Sequence, residues 1–195
     1  VEPREIQDER HEVALSCAKD GKGANNGYVF RYQAGRTIAG TGKRGTYVAL
    51  LRQGEVVKEE TLAAGEAREL SSVALRRAGK YICGKINGKP VLTWRDEQPL
   101  SGSRVAYYSV GVQVRVESAK IVSEQFHDEL FSKAPVAWRT AGFAIAEVTN
   151  RWQCDPRWSF FSLKNDLKAG KPAVLWSKEL YPGDVTVELF VANKM

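Results

Sequence analysis

The chain has 195 residues, of which 43% are hydrophobic, so it can bury a sizeable core, and a single domain over 1–195 is predicted. Its net charge is +6, but the 29 Lys and Arg residues are scattered among 23 Asp and Glu residues without a basic run, which argues against nucleic-acid binding. No apolar run approaches the length of a membrane span, and residues 1–13 lack the apolar core of a signal peptide.

Three segments near the start of the chain have distinct side-chain patterns. Hydrophobic and more polar residues alternate over 12–18, which predicts a first β-strand. Aromatic residues recur at every second position of 28–33, which favours a strand with these residues on one face and Arg31 and Gln33 on the other. The Gly-rich segment 35–45 lacks a Gly-Lys-Ser/Thr sequence after a strand, so it predicts a loop rather than a phosphate site.

Two hairpins are predicted in the next part of the chain. Residues 46–52 and 55–59 flank Gly54, where the bend is expected to need a positive φ angle. Two apolar runs also flank Asn87-Gly88, and both of these residues tolerate the positive φ angles of a type I′ turn. An Asn-Gly pair between apolar runs is a strong hairpin signal, so a tight turn is predicted here.

Two further strands are predicted from the alternation of their side chains. Residues 110–116 alternate valine with Gly, Gln and Arg, so a single strand with one apolar face is expected over the whole stretch. Residues 184–192 likewise place the hydrophobic residues from Val185 to Val191 on a buried face, with Glu188 on the opposite face. Strands dominate the pattern, so the predicted fold class is all-β, an antiparallel two-sheet β-sandwich.

Two blocks of the chain carry a recurring series of turns and strands. The first holds an Asn-Gly turn, an Asp before Pro-Leu, a Gly-rich turn and a final alternating strand, which are Asn87-Gly88, Asp96, Pro99-Leu100, Gly102 and residues 110–116. The second, residues 173–194, has Gly183-Asp184 leading a strand that carries Glu188. These blocks resemble concanavalin A-like and laminin-G-like jelly rolls, nearest in pattern to bacterial 3-keto-disaccharide hydrolase-like domains. The resemblance implies a jelly roll related to sandwiches that recognise glycans.

The order of the two blocks is reversed relative to those domains. The closing part of the jelly roll occupies 1–122 and the opening part occupies 123–195. Three explanations are open: a circularly permuted single domain, a fragment cut from a tandem array, or half-domains completed by strand exchange with a neighbour. A single permuted domain is favoured, because half-sandwiches would expose long unpaired edges. We therefore expect a monomer or one unit of a tandem array, with residues 1 and 195 close together on the surface.

An aromatic segment, residues 151–158, is the first candidate for ligand binding. Sugars stack on exposed indoles and form hydrogen bonds with flanking polar groups, although a tryptophan in a small sandwich is roughly twice as often part of the core. The polar face of the second predicted strand and the acidic residue of the last one are further candidates. The predicted ligand-binding residues are Arg31, Gln33, Arg151, Trp152, Asp155, Trp158 and Glu188.

Catalytic signatures are missing from the sequence. Glycoside hydrolysis needs two carboxylates that face one cleft, but the acidic pairs here are adjacent residues whose side chains diverge on a strand. Solvated turns therefore account better for Glu59-Glu60, Asp96-Glu97 and Asp128-Glu129. No Gly-x-Ser-x-Gly elbow occurs, and the two histidines, His11 and His127, have no partner at a metal-ligand spacing. No catalytic residue is predicted.

No metal site or cofactor is predicted either. Cys17, Cys83 and Cys154 are far apart without a Cys-x-x-Cys pair, so a zinc site is not expected. The first two lie in apolar runs and are predicted to pack as small hydrophobic residues, whereas the third lies in a predicted polar loop. One disulfide plus one free thiol is the alternative, and it implies an oxidising compartment. Sandwiches of this type sometimes bind structural calcium, for which the only loop candidates are Asp155, Asn165 and Asp166.

The resemblance to glycan-recognising sandwiches, without catalytic signatures, predicts a non-catalytic carbohydrate-binding-like module. A glycan or polysaccharide is the expected partner, and an extracellular or cell-surface location within a larger protein is the expected setting. Two alternatives stay open. One is a glycoside hydrolase or lyase of the 3-keto-disaccharide type, and the other is a protein-interaction or spacer repeat.

Overall fold

The computed structural model describes the backbone of part of the chain, namely residues 10–16, 27–37, 44–62, 70–101, 103–110, 114–123, 127–129, 138–141, 152–154, 160–162, 173–177 and 180–193. All of the regular secondary structure in these ranges is β-strand, which confirms the all-β prediction for them. Within the same ranges there is no helix long and apolar enough to cross a membrane.

Fifteen strands occur in the described ranges. In chain order they are β1 (Arg10–Ser16), β2 (Tyr28–Thr37), β3 (Arg44–Arg52), β4 (Glu55–Leu62), β5 (Ser72–Ala78), β6 (Tyr81–Ile86), β7 (Lys89–Arg95), β8 (Arg104–Val110), β9 (Val114–Val122), β10 (His127–Glu129), β11 (Trp138–Ala141), β12 (Trp152–Cys154), β13 (Phe160–Ser162), β14 (Ala173–Ser177) and β15 (Val185–Asn193).

These strands form two antiparallel sheets. The seven-stranded sheet has the spatial order β11-β14-β8-β1-β2-β3-β4. The eight-stranded sheet has the order β12-β13-β9-β15-β5-β6-β7, with β10 paired to β9 beside that path. Every described strand pair is antiparallel. The prediction of two antiparallel sheets is therefore confirmed.

The two sheets pack face to face through one cluster of buried side chains, as in a β-sandwich. The alternate aromatic residues of β2 point into this cluster, as their spacing predicts. The alternate hydrophobic residues of β15 enter it from the opposite sheet, again as predicted. The buried residues of these two strands are Tyr28, Phe30, Tyr32, Val185, Val187, Leu189 and Val191.

The two predicted hairpins are present with left-handed residues at their bends. Asn87 and Gly88 have φ angles of 49° and 77°, as a type I′ turn requires at both central positions. Gly54 has the predicted positive φ angle, 89°, and the preceding Gln53 is also left-handed, with φ of 52°. The left-handed conformation of Gln53 was not predicted, because glutamine has no special preference for it.

The valine-rich stretch 110–116 is not the single strand that its alternation predicts. Strand β8 ends at Val110 in the seven-stranded sheet, and β9 begins at Val114 in the eight-stranded sheet. The alternation specifies which side chains face the core but not which strands are hydrogen-bonded to them. A chain that passes from one sheet to the other can therefore keep one uninterrupted pattern of buried residues.

The seven-stranded sheet is also shielded on its outward side near the middle. Val29, Ala49, Leu51 and Ala106 point away from the core cluster, yet at most 5% of each residue is exposed. A strand that is buried on both faces has a continuous apolar run instead of an alternating one. This explains the apolar residues 47–51 in β3, and it leaves Arg31 on the same outward face beside a buried patch.

The cysteines lie in different settings. Cys83 is half-buried on the outward face of β6, so it is less enclosed than its apolar run predicts. Its thiol is free. Cys154 belongs to β12 and not to a loop, which corrects the prediction made from its polar neighbours. Cys17 lies outside the described residues.

Candidate functional site

The structure separates the predicted binding residues that it describes. Arg31 and Gln33 are half-buried on the outward face of β2, in the seven-stranded sheet. Glu188 is half-buried on the outward face of β15, in the eight-stranded sheet. The outward faces of two packed sheets point in opposite directions, so these residues cannot line the same site.

The aromatic candidate lies at the edge of the eight-stranded sheet. Trp152 is the cross-strand partner of Ser162 in the β12–β13 pair. The orientation of its side chain is outside the description, and so are the other three residues of this candidate, Arg151, Asp155 and Trp158. An indole platform in this segment therefore stays a prediction.

The face that carries Arg31 and Gln33 is occupied by internal contacts. Both residues already take part in an interaction within the protein. On the same face the Tyr47 hydroxyl donates a hydrogen bond to the carboxylate of Glu59 in the neighbouring strand. A ligand at this face would have to compete with these contacts.

A cleft of about 710 Å³ lies on the outward face of the eight-stranded sheet. It is built from β5, β9, β15 and the residues next to these strands. Three of its described lining residues are cations, two are acids and two are hydroxyl residues. We call it the sheet cleft and define it by Arg76, Arg77, Lys120, Asp184, Thr186 and Glu188.

Strand register brings these side chains together from distant parts of the sequence. Strand β15 lies between β5 and β9, so that Thr186 is opposite Arg76 and Glu188 is opposite Lys120. Alternate residues of a strand share a face, so Thr186 and Glu188 face the same side. The cleft therefore combines residues that are more than one hundred positions apart and that no local motif links.

The two carboxylates of the sheet cleft are held by hydrogen bonds that point in opposite directions. Asp184 accepts a hydrogen bond from the backbone N–H of Gly79 at 2.7 Å, just beyond one end of β5. Glu188 accepts one from the Ser72 hydroxyl at 2.8 Å, at the other end of β5. Both acids are thus fixed before any ligand arrives, and their side chains lean apart.

This separation decides what the acids can do together. Asp184 and Glu188 are four residues apart along an extended chain, which corresponds to about 13 Å between their Cα atoms. The two carboxyl groups of retaining glycosidases are about 5–5.5 Å apart, and those of inverting ones about 6.5–9.5 Å. The sheet cleft therefore does not hold the usual pair of glycoside-cleaving acids.

Arg77 forms one end of the sheet cleft and is only 6% exposed. Its Nε donates a hydrogen bond to the carbonyl of Gly183 at 3.0 Å, and its Nη2 donates to the same oxygen. Its Nη1 donates to the carbonyl of Leu100 at 3.0 Å. The arginine thereby ties the segments before β8 and before β15 to the end of β5.

A buried polar network lies in the same loop region and was not predicted. Asp96, which is 4% exposed, accepts hydrogen bonds from the Tyr28 hydroxyl at 2.6 Å and from Arg52 Nε at 2.8 Å. The backbone N–H of Leu100 donates in turn to the Tyr28 hydroxyl at 2.8 Å. The expected solvated turn is therefore wrong for Asp96. The partners are too far apart in sequence to give a local signal.

The network shifts the pKa values of its members. Burial alone would raise the pKa of Asp96, but the hydrogen bonds from Tyr28 and Arg52 outweigh it and hold that pKa below the ordinary 3.8. Burial, followed by the hydrogen bond to Asp96, raises the pKa of Tyr28 to about 12. The network therefore holds an ionised carboxylate beside a neutral phenol at neutral pH. This assigns the network a structural role.

The remaining candidates are the acidic pair Glu59-Glu60 and the possible metal ligands. Glu59 and Glu60 are exposed in strand β4 and not in a turn, which corrects that prediction. Within the described residues, no group of three or more His, Cys, Asp or Glu side chains could hold a metal ion. The calcium candidates Asp155, Asn165 and Asp166 lie outside the description.

Comparison with known proteins does not assign the chain to a family. No model of a known protein family matches it, and no curated protein matches it. The resemblance to concanavalin A-like jelly rolls therefore stays a prediction that depends on two sequence blocks.

Proposed function

We propose that the chain is a non-catalytic module that binds a carbohydrate in the sheet cleft. The observation that carries this proposal is the pair of carboxylates, Asp184 and Glu188, held apart by hydrogen bonds at the two ends of β5. Sugar hydroxyls can donate to these oxygens and accept hydrogen bonds from Arg76 and Lys120. A volume of about 710 Å³ is also adequate for a few sugar rings, since small-ligand sites range from about 300 to 1,000 Å³.

Two further parts of the proposal concern fold and setting. We propose that the two sheets form a concanavalin A-like jelly roll with its halves in permuted order. The support is that β1 and β15, which would be consecutive in the unpermuted order, contribute to the two facing sheets of one core. An extracellular or cell-surface setting within a larger protein is proposed from the resemblance to glycan-recognising domains alone.

The test is binding to an array of neutral and acidic glycans, repeated with isosteric variants of the two acids. Glu188→Gln keeps an oxygen for the Ser72 hydroxyl, and Asp184→Asn keeps one for the N–H of Gly79. Each variant is expected to weaken binding about 10- to 100-fold, because a hydrogen bond to a charged group contributes about 1.5–3 kcal/mol. Melting temperatures of the variants check that the fold is retained.

A second cleft provides the matched control. It has a volume of about 540 Å³, lies between β4 and the β6–β7 hairpin, and is lined by Glu60 and Lys89 among others. Glu60→Gln should leave glycan binding unchanged. Equal binding by all variants would place the ligand outside the sheet cleft, and release of a cleaved product would identify an enzyme. A protein that binds no glycan on the array would instead be an interaction or spacer repeat.

A further inference from the structure

Arg76 is the cation of the sheet cleft for which the described part of the chain provides no partner. Its side chain is exposed at the middle of the cleft, opposite the neutral Thr186. The described residues offer it no hydrogen-bond or ion-pair partner. Asp184 and Glu188, by contrast, are each held by a donor from the protein. Among the described residues of the cleft, Arg76 is therefore the charged donor that can be offered to a ligand.

The charges around Arg76 favour a negatively charged group at this point. The described lining of the cleft holds three cations, Arg76, Arg77 and Lys120, against the two acids Asp184 and Glu188. Arg77 is buried, and its described partners are neutral carbonyl groups, so no carboxylate among them cancels its charge. A charge shielded from water acts over a longer distance than an exposed one. An anion at Arg76 would therefore meet more positive than negative charge in the described lining.

We propose that the sheet cleft recognises an acidic sugar, a uronic acid whose carboxylate accepts hydrogen bonds from the guanidinium of Arg76. This inference rests on the proposed function and names its ligand class. A guanidinium presents two parallel N–H donors that match the two oxygens of a carboxylate. The hydroxyl groups of the same chain of sugars then supply the donors that Asp184 and Glu188 require.

The same geometry disfavours a nucleic acid as the ligand. Each strand of a nucleic-acid duplex carries one negative charge per about 3.4 Å of helix axis, so several phosphates would lie along the cleft at once. Asp184 and Glu188 flank Thr186 at about 7 Å on either side, and phosphates placed there would meet like charges. A uronic acid brings its charge to Arg76 and neutral hydroxyls to the two acids, which fits this order of charges.

The experiment compares oligosaccharides that carry a single uronic acid among neutral sugars with carboxyl-reduced counterparts of the same linkage, which differ only in having a CH2OH group in place of the carboxylate. We expect the unmodified protein to bind at least one acid tenfold or more tightly than its reduced form by calorimetry. Arg76→Gln should remove this preference, so that the acid and its reduced form bind equally, whereas Arg76→Lys should keep part of the preference. Lys89→Gln, which removes an exposed cation from the other cleft, is the matched control and should keep it fully.

Several results would overturn the inference, and they differ from those that overturn the proposed function. Equal binding of the acid and reduced forms, or binding of neutral glycans alone, would disprove the acidic ligand and leave a glycan module standing. A preference that survives Arg76→Gln would place the anion elsewhere. Displacement of the sugar by single-stranded DNA at equal concentration would identify a polyanion site instead. Absence of binding to every sugar tested would end both proposals.

Discussion

The buried carboxylate of Asp96 shows how one side chain fixes the geometry of a whole loop region. Its donors come from the start of β2 and the end of β3, and the loop that carries it leads into β8. Hydrogen bonds of this kind are stronger in a shielded environment than in water, but leaving one unmade there is costly. Tyr28, Arg52 and Asp96 therefore act as a unit, and the loss of one affects the others.

We expect Asp96→Asn to lower the free energy of unfolding by about 1–3 kcal/mol at pH 7. The physical reason is that the new amide group points a donor at another donor, whichever way it is turned. The carboxylate accepts from Tyr28 and Arg52 on one oxygen and from the N–H of Gln98 on the other. Urea unfolding measures the change.

The pH dependence of this effect distinguishes an ionised carboxylate from a packing effect. The pKa of Asp96 is lower in the folded protein than its ordinary 3.8, so its contribution is complete above that value and is lost as the pH falls through the folded-state pKa. The difference between the two proteins should therefore shrink from pH 5 to pH 3. Glu97→Gln is the neighbouring control, since that side chain is 64% exposed, and it should have little effect. A difference that is constant with pH would contradict the prediction.

Individual strands are shaped by the closeness of the facing sheet. Gly84 lies in β6 directly opposite Phe30 of β2 across the core. A Cβ atom at this position would lie 2.3 Å from Cδ2 of the Phe30 ring, far closer than atoms can approach. The missing side chain thus lets the two sheets come together at this point, and the buried ring fills the space.

Gly84→Ala is therefore expected to destabilise the fold by about 1–3 kcal/mol through overpacking. Phe30→Leu alone should also destabilise it, because it removes buried ring atoms. In the double variant the smaller side chain makes room for the new methyl group. The double variant should therefore lose less free energy of unfolding than the two single variants lose in sum. Unfolding by urea of the four proteins completes the cycle. Simple additivity would show that the two residues do not limit each other.

The edge strands β4 and β7 carry features that oppose pairing with another chain. Each of these strands is the last in its sheet. The β4 edge carries exposed acids, and Lys58 donates a hydrogen bond to the carbonyl of Thr93 in β7 at 2.9 Å. Charged side chains on an edge oppose pairing with another chain. These features oppose the addition of a strand from another chain at the described edges β4 and β7.

At the scale of the whole molecule, the first residue of β1 and the last residue of β15 pair with residues that are close together in sequence. Arg10 in β1 is the partner of Val110, and Asn193 in β15 is the partner of Val114. Val110 and Val114 are four positions apart along the chain, which limits the distance between the Cα atoms of Arg10 and Asn193 to about 25 Å. Strands β1 and β15 belong to different sheets, so they are not the hydrogen-bonded neighbours expected of consecutive strands.

This arrangement makes the permuted order testable. A variant that joins residue 195 to residue 1 through a short Gly-Ser linker, with new ends after Ser123, should fold as a monomer with a melting temperature close to that of the natural order. A second permutant opened at Ala119, inside the buried part of β9, is the control and should not fold. Dimers or aggregates from the first permutant would indicate separate half-domains. The mass in solution and the thermal unfolding curve decide between these results.

Side-chain alternation in the sequence predicts many of the strands, because the spacing of residues along a strand decides which of them face the core. Tyr28 to Tyr32, Val185 to Val191 and the Asn87-Gly88 turn could be predicted on this basis, since each depends on neighbours in sequence. Pairing is different, because a strand with one apolar face can join either sheet. The division of 110–116 between the two sheets, the buried Asp96 and the meeting of Arg76, Lys120 and Glu188 in one cleft therefore depend on contacts between distant segments, which only the tertiary structure decided.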